Sequence, residues 1–160
     1  MTDRNAPKYA VRKADLHELD TIYTMGFDVW GDGLTLDDYL TGCRNSEKYL
    51  SGTWYVLVKK DRVVSSLIVY SDMFGLAKGC FGIGSVATPQ ELRHQGYASE
   101  LINLLKTELF TRHNCKALYL HSDIEHQFYI RLGFVNIVGS DCMYISNDSS
   151  EFDGRIPDYF

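Results

Sequence analysis

A glycine-rich strand passes into a long amphipathic helix between residues 80 and 109, and this transition restricts the possible folds more than any other segment. The strand covers residues 80–88 and the helix follows Arg93. The apolar positions of the helix recur at spacings of three and four: Ala98, Ile102, Leu105 and Leu109. A short apolar strand, Ala117–His121, comes next. A helix that links two strands in this way predicts a parallel strand pair.

The remaining segments alternate strands and helices. Strands are predicted at residues 9–13, 53–59, 63–71, 134–138 and 142–145 from alternating or β-rich patterns. Helices are predicted at residues 15–30, 35–40 and 124–132, with Asp15 as the N-cap of the first and Gly133 ending the last. The link Lys60-Asp61-Arg62 indicates an antiparallel hairpin. The chain is therefore a mixed α/β protein with an antiparallel front half and a crossover in the back half.

Length and composition are those of one ordinary globular domain. The chain has 160 residues, of which 45% are hydrophobic and 23% charged. We predict a single domain over residues 1–160, with a core at about 9–145 and a tail at 147–160. Docking and disorder are both open for this acidic tail, because it carries four apolar residues: Phe152, Ile156, Tyr159 and Phe160.

Charge and hydropathy argue against several classes of protein. The net charge of −5 is unlike that of a dedicated nucleic-acid binder. No apolar run approaches the roughly 20 residues of a membrane helix, and residues 1–8 are too polar for a secretory signal. The cysteines form no Cys-x-x-Cys pair, which predicts reduced thiols in a cytoplasmic protein. These cysteines are Cys43, Cys80, Cys115 and Cys142.

Metal and dinucleotide patterns are weak. The histidines form no His-Glu-x-x-His motif, and His121, Glu125 and His126 fit a polar helix start better than a metal site, so no metal is predicted. The glycine pattern at residues 82–87 formally matches a dinucleotide fingerprint variant. That motif needs a helix within the glycines, whereas this chain continues as a strand.

The turn before the long helix carries the first functional motif, Arg93-His94-Gln95-Gly96-Tyr97-Ala98. A first helical turn presents unpaired N–H groups and the positive end of the helix dipole, which suits an anion. Gly96 lets a phosphate approach the backbone, and Arg93 adds a cation beside it. Simple helix capping by Gly96 is the alternative interpretation of this segment taken alone.

The second motif lies downstream, at Tyr129-Ile130-Arg131-Leu132-Gly133-Phe134. Tyr129 is the residue of interest, because a phenol that faces a cleft can donate a proton. A packed tyrosine with its hydroxyl at the surface is the alternative.

Together the two motifs resemble the GNAT superfamily of acetyl-CoA-dependent N-acetyltransferases. Residues 93–98 match its Arg/Gln-x-x-Gly-x-Gly/Ala motif, and residues 129–134 match its Tyr-x-x-x-Gly-Phe signature. The order of elements also fits, so the resemblance covers roughly residues 9–145. It implies a GNAT fold, a twisted mixed sheet of six to seven strands with helices on both faces. It also implies transfer of an acetyl group from acetyl-CoA to a primary amine by direct attack in a ternary complex.

The resemblance implies a set of site residues as well. Tyr129 corresponds to the general acid that protonates the leaving CoA thiolate. Strand residues would pair with the pantetheine arm, loop N–H groups would hold the pyrophosphate, and Ser122 stands where the family often has Asn. The residues implied for acetyl-CoA are Val86, Ala87, Thr88, Arg93, His94, Gln95, Gly96, Tyr97, Ala98, Ser99 and Ser122.

The first two helices would form the acceptor pocket in this fold. Aromatic faces and carboxylates there suit a cationic amine, although core aromatics and solvated acids explain the same residues equally well. The residues in question are Phe27, Asp28, Trp30 and Asp32.

The chain departs from the family pattern in several places, two of which affect the turn after the strand and the choice of base. Pro89 stands one position earlier than the usual proline, and residues 80–85 supply no carboxylate where the family often has a Glu base. An amine with a pKa of about 10 must lose a proton before it attacks. The base is therefore open among His121, Asp123, Asp32 and a water chain.

The alternative functions are a non-catalytic acyl-CoA-binding or regulatory module and a protein lysine or N-terminal acetyltransferase. A homodimer is one assembly that the resemblance allows. The sequence identifies neither the acceptor nor the acyl chain length.

Overall fold

One seven-stranded sheet forms the centre of the protein, which a computed structural model describes over residues 8–146 and 155–160. The strands are β1 (Ala10–Lys13), β2 (Thr53–Lys59), β3 (Arg62–Ser71), β4 (Cys80–Ala87), β5 (Ala117–His121), β6 (Val135–Asn136) and β7 (Cys142–Ser146). Their order across the sheet is β1-β2-β3-β4-β5-β7-β6. Neighbouring strands are antiparallel except β4 and β5, which run parallel as predicted.

The α-helices of the described ranges cover both faces of the sheet. They are α1 (Leu19–Met25), α2 (Phe27–Trp30), α3 (Leu36–Arg44), α4 (Glu47–Ser51), α5 (Tyr97–Arg112) and α6 (His126–Ile130). Single 3₁₀ turns lie at Leu16–Glu18 and Gln90–Leu92. None of these helices is both long and apolar enough to cross a membrane.

The alternation of side chains along β3 builds two cores, one on each face of the sheet. Leu67 and Val69 pack with α5 in the first core, and Ile68 and Tyr70 pack in the second core, under α1 and α3. Leu67, Ile68 and Tyr70 are fully buried. Burial of each such apolar side chain contributes about 1.5–3 kcal/mol, so both faces of the sheet need their helical cover.

The front helices differ from the sequence prediction. The continuous helix at 15–30 is wrong: a 3₁₀ turn comes first, with Leu16 87% exposed, and Gly26 separates α1 from α2. A side chain at Gly26 would collide with the ring of Trp30. The five-residue α4 was not predicted because it is too short to show a period, although the Ser46 hydroxyl caps it by accepting the Tyr49 N–H at 3.2 Å.

Two later elements are shorter than predicted. The helix expected at 124–132 spans only His126–Ile130, and the strand expected at 134–138 forms only Val135–Asn136. Phe134 precedes β6 and is buried in the core under α5. Its apolar side chain therefore reflects this burial and not a position in a strand. The hairpin between β2 and β3 has the two-residue turn that its twist favours, with φ of 49° at Lys60 and 63° at Asp61.

The parallel pair opens before its strands end. The register of β4 with β5 runs from Cys80 opposite Ala117 to Gly82 opposite Tyr119. On its other side, β4 stays paired with β3 to Ala87, with an irregularity near Ser85, whose φ is 47°. The ends of β4 and β5 therefore diverge, and their separation sets the position of the cleft described next.

Candidate functional site

A cleft of about 720 Å³ lies where β4 and β5 separate. The end of β4, the start of α5, α6 and the C-terminal residues all contribute to its walls. Most of the residues predicted from the sequence line it: Val86, Ala87, Thr88, Arg93, His94, Gly96, Tyr97, Ala98, Ser99, Tyr129 and Trp30. Gly96 and Tyr129, from the two sequence motifs, are 33 positions apart in the chain, and the fold places both in the wall of this cleft.

The start of α5 has the geometry of an anion site. Gly96 is the N-cap with φ of 83°, and the preceding His94 is also left-handed at 64°. The first helical hydrogen bond runs from Glu100 N–H to the Gly96 carbonyl at 3.0 Å. The N–H groups of Tyr97, Ala98 and Ser99 therefore have no acceptor inside the helix. A Cβ added at Gly96 would meet no atom within 4 Å, so the space in front of these donors is open.

Arg93 links the predicted phosphate loop, residues 93–98, to the first helices. Its Nε donates to the Thr88 carbonyl at 2.9 Å and its Nη2 to the Met25 carbonyl at 3.1 Å. Its guanidinium also donates to both Asp28 carboxylate oxygens, at 2.6 and 2.8 Å. This hydrogen bonding holds the pKa of Asp28 below its ordinary value and raises that of Arg93. The side chain expected to stand beside a phosphate is thus engaged within the protein.

Two other residues predicted to hold acetyl-CoA have side chains that bond internally and do not line the cleft. The Ser122 hydroxyl donates to the Ile124 carbonyl at 2.8 Å, and Ser122 is buried. The Gln95 Oε1 accepts the Tyr97 hydroxyl at 3.3 Å. The Ser122 hydroxyl therefore stabilises the turn after β5.

Of the predicted acceptor residues, only Trp30 lines the cleft. Asp28 pairs with Arg93, and Phe27 packs on Tyr39 with ring centroids 5.3 Å apart. Asp32 is exposed in the turn between α2 and α3, where its φ is 49°. Phe27 and Asp28 instead line a second, shallower groove beside Asp20 and Gln90.

Tyr129 lies on α6 with 8% of its surface exposed. Its ring packs edge-on against Phe128 and Phe134, with centroids 5.0 and 6.0 Å away. Burial raises the pKa of Tyr129 to about 12, and the nearby Asp123 charge adds to this effect. The phenol therefore keeps its proton throughout the physiological range and can act as a donor in the cleft.

Several residues of the cleft could not be found from the sequence. Lys48 and Tyr49 come from the unpredicted α4, and Tyr159 and Phe160 come from the C-terminal tail. The Lys48 ammonium lies 5.1 Å from the centre of the Tyr159 ring, and burial lowers the pKa of Lys48. The sequence indicates that the tail either docks on the domain or is disordered. Phe160 docks, because it is packed in the protein with 5% of its surface exposed. Phe152 lies outside the described residues.

His121 and His126 do not form a metal-like cluster with Glu125 in the described residues. His126 Nε2 lies 3.3 Å from Asp141, and His121 Nε2 lies 2.9 Å from the Asp158 carbonyl. Among the described residues, one group has metal-like spacing: Asp15, His17 and Glu18, whose ligand atoms lie within 4.8 Å of one another. Glu18 there is already bound by Arg12 at 2.8 Å, outside the cleft.

The model of the acetyltransferase (GNAT) family matches residues 16–134. The chain therefore belongs to the GNAT acetyltransferase family, and family membership assigns it to the acyltransferases. No curated protein matches the chain in sequence.

Solved structures agree with this assignment at the level of the fold. A GNAT family acetyltransferase from Brucella melitensis in complex with acetyl-CoA has a TM-score of 0.66 and 16% identity, over 93% of this chain and 94% of that one. The dodecameric spermidine N-acetyltransferase of Vibrio cholerae has a TM-score of 0.62 and 17% identity, over 87% and 94%. A GNAT acetyltransferase from Staphylococcus aureus has a TM-score of 0.62 and 12% identity, over 88% and 99%.

Proposed function

We propose that the protein is an N-acetyltransferase that transfers the acetyl group of acetyl-CoA to a primary amine by direct attack in a ternary complex. The observation that carries the proposal is that the start of α5 and Tyr129 line the same cleft. A helix N-terminus suits a pyrophosphate, and a phenol suits a leaving thiolate. One cleft thus holds the two groups that binding and chemistry require.

Acetyl-CoA has an extended track along this cleft. Beyond Gly82 the edge of β4 that faces β5 is open, so Val86 and Thr88 can pair with the amide groups of the pantetheine arm. The pyrophosphate then lies on the backbone N–H groups at the start of α5, those of Tyr97, Ala98 and Ser99, which have no acceptor inside the helix. Arg93 supports the loop before α5 by its hydrogen bonds to Thr88 and Asp28, so its contribution to binding is to position the loop.

The reaction follows from these positions. The amine attacks the thioester carbonyl carbon, and a backbone N–H on the open edge of β4 donates to the oxygen that becomes negative. When the C–S bond breaks, Tyr129 donates its proton to the sulfur. A free thiol has a pKa of about 8.5, below the value of about 12 at Tyr129. The same apolar surroundings raise the pKa of the departing thiol above its value in water, so the difference between the pKa of the thiol and that of Tyr129 becomes smaller.

The walls of the cleft favour a small amine over a polyamine. Lys48 places a positive charge at the side formed by α4 and the C-terminal residues, and this charge repels a second cation on the acceptor. Asp123 lines the same cleft and offers a carboxylate to one ammonium group. The rings of Tyr159 and Phe160 wall this side of the cleft, which also disfavours a flat protein surface as the acceptor.

The four cysteines are buried free thiols, which supports the proposed cytoplasmic location. Assembly into a homodimer stays a prediction, as does the absence of a resident metal.

Acetyl transfer with a panel of amines tests the proposal. The purified protein is incubated with acetyl-CoA and, separately, with spermidine, amino acids, aromatic alkylamines and a lysine peptide. Thiol release and the mass of the amine product are measured together. We expect amine-dependent thiol release and an acetylated product. Saturable acetyl-CoA binding with no amine-dependent release across the panel would instead identify a non-catalytic acyl-CoA-binding module.

A further inference from the structure

His121 ends β5 on the face of the sheet that is covered by α1 and α3. Side chains alternate along a strand, and Leu120 packs in the core under α5 whereas Tyr119 packs in the core under α1 and α3. Alternation therefore places His121 on the same face as Tyr119. Its ring contacts Phe160, which belongs to that second core, with centroids 4.7 Å apart.

Tyr129 reaches the cleft from the opposite face. It belongs to the core under α5, yet both Tyr129 and His121 line the cleft between the diverging strands. Acyl transfer needs such an arrangement, because the nucleophile and the leaving group lie on different sides of the tetrahedral carbon. A base is useful near the first and an acid near the second.

The C-terminal residues fix the tautomer of His121. Its Nε2 lies 2.9 Å from the Asp158 carbonyl oxygen, which can only accept a hydrogen bond. The neutral ring must therefore carry its proton on Nε2 and its lone pair on Nδ1. The rings of Tyr159 and Phe160 pack against the imidazole at 5.4 and 4.7 Å between centroids, so three successive residues orient it.

We propose that His121 is the general base that deprotonates the acceptor amine and that residues 158–160 position it. The inference rests on the proposed amine acetylation. Nδ1 takes one proton from the ammonium group, and the free amine forms its bond to the thioester carbon. The C–S bond then breaks, and the sulfur keeps the electron pair and takes the proton of Tyr129. The second proton of the nitrogen returns to the phenolate, and the imidazolium releases its proton to solvent.

The groups around His121 keep it in the basic form. Burial lowers the pKa of His121, and the Lys48 charge on α4 lowers it further. The hydrogen bond to the Asp158 carbonyl and the charges of Asp123 and Asp158 act in the opposite direction, but burial is the largest effect. On β7 the facing residue is Cys142, whose pKa burial raises to about 11, so it adds no charge near neutral pH.

The other candidates for the base are less well placed. The Asp123 Oδ2 already accepts the Tyr159 hydroxyl at 2.9 Å. Asp32 does not line the cleft, and β4 carries no carboxylate from Cys80 to Ala87. His121 and His94 are the two histidines that line the cleft, and His94 lies in the turn before α5, where the phosphates are proposed to bind. The ring of His121 is the one held by contacts with residues 158–160.

The pH dependence of kcat/KM with two kinds of nucleophile tests the proposal. His121→Gln keeps an N–H donor for the Asp158 carbonyl but has no basic nitrogen, and His17→Gln is the matched control because His17 is exposed. The acceptors are an alkylamine, which is protonated at neutral pH, and an aromatic amine, which is not. Acetyl-CoA affinity is measured in every variant to verify folding, and His121→Asn replaces a Gln variant that does not bind.

We expect the wild type to lose activity on an acidic limb that lies below the ordinary pKa of histidine, because burial lowers the pKa of His121, and His121→Gln to lack this limb. With the alkylamine at pH 7 the variant should be at least about tenfold slower, while the aromatic amine should react at nearly the wild-type rate. Equal losses with both nucleophiles, or no loss, would overturn the base assignment and leave acetyl transfer standing. A wild type that acetylates neither amine would overturn the proposed function and this inference with it.

Discussion

Tyr129 is a residue whose environment fits its proposed role. Its hydroxyl is kept protonated by burial, and its ring is held by Phe128 and Phe134. A phenol within hydrogen-bond distance of a thiolate contributes about 10²–10⁴ in rate. Removing the hydroxyl leaves the aromatic packing intact, so its effect on chemistry separates from its effect on folding.

Tyr129→Phe should therefore lower kcat at least about tenfold with nearly unchanged acetyl-CoA affinity. This pattern indicates an interaction made mainly in the transition state. Single-turnover rates of bound acetyl-CoA with a good amine measure it even when product release limits kcat. An undiminished single-turnover rate would make Tyr129 a structural residue.

Glu18 is the residue that most links stability to pH. Hydrogen bonding to Arg12 is the main reason that the pKa of Glu18 falls from 4.5 to about 2, helped by the N–H of Asp15. The unfolded chain thus binds this proton at higher pH than the folded protein does. The stabilisation is complete above about pH 4.5 and is lost as the pH falls toward 2.

Glu18→Gln should cost no more than about 1 kcal/mol at pH 7, because solvent screens a pair whose arginine is 42% exposed. The difference from wild type should vanish near pH 2. Urea unfolding at both pH values measures it, with the exposed Glu47→Gln as control. A difference that persists at low pH would mean that Glu18 acts through packing and not through its charge.

At the scale of elements, the start of α5 is the part that the sequence predicts best. A glycine at the end of a polar turn, followed by an apolar stripe, indicates both the helix start and its anion-binding use. The structure adds the left-handed φ of 83° at Gly96, which a side chain would strain. A substitution there acts on the phosphate space and on the backbone together.

Gly96→Val should weaken acetyl-CoA binding at least about tenfold, or about 1.4 kcal/mol. Gly139→Val is the matched control, because Gly139 also has a positive φ, of 80°, and open space around its Cβ position, but lies outside the cleft. Calorimetry on both folded variants separates lost binding from backbone strain. Equal affinities in the two variants would rule out the phosphate loop.

The Arg93–Asp28 pair connects the phosphate loop with α2. The sequence assigns Arg93 to acetyl-CoA and Asp28 to the acceptor, because a pattern along the chain does not reveal a pairing across 65 positions. In the structure the two charges neutralise each other. Asp28 therefore affects acceptor binding indirectly, because its ion pair with Arg93 positions α2 and the loop before α5.

Asp28→Asn should raise the KM values of acetyl-CoA and of the amine by similar factors and destabilise the protein by about 1 kcal/mol, since the pair is partly exposed. Asp32→Asn, in an exposed turn, should change neither value. Steady-state kinetics with both substrates and a thermal melt measure these effects. A selective increase in the amine KM would show that Asp28 binds the acceptor directly.

The proposed acceptor side could not be predicted from the sequence for a physical reason. It is formed by α4, which is too short for a visible period, and by residues 155–160, which come from the opposite end of the chain. The acetyl-CoA side is local: strand, turn and helix are continuous in the chain, and so their motif is readable. Packing between distant parts of the chain is visible only in the fold. The Phe160 ring, for example, fills the space that a side chain at Gly82 would occupy.

At the scale of the whole molecule, the cleft exists because two neighbouring strands of the sheet separate. The only parallel pair of the sheet, among the described strands, stops pairing at Gly82 and Tyr119, and the helices on each face supply one wall of the resulting cleft. One face contributes α5 and Tyr129, and the other contributes His121 and the C-terminal residues. The position of acetyl-CoA relative to both faces is the central claim of this account.

A crystal structure of the protein with CoA measures that position directly. We expect the pyrophosphate on the backbone N–H groups at the start of α5, those of residues 97–99. We expect the pantetheine arm along Val86 and Thr88, and the sulfur within hydrogen-bond distance of the Tyr129 hydroxyl. The shallower groove beside Asp20 and Gln90 should stay free of CoA. CoA bound in that groove, or a sulfur far from Tyr129 in the main cleft, would contradict the account.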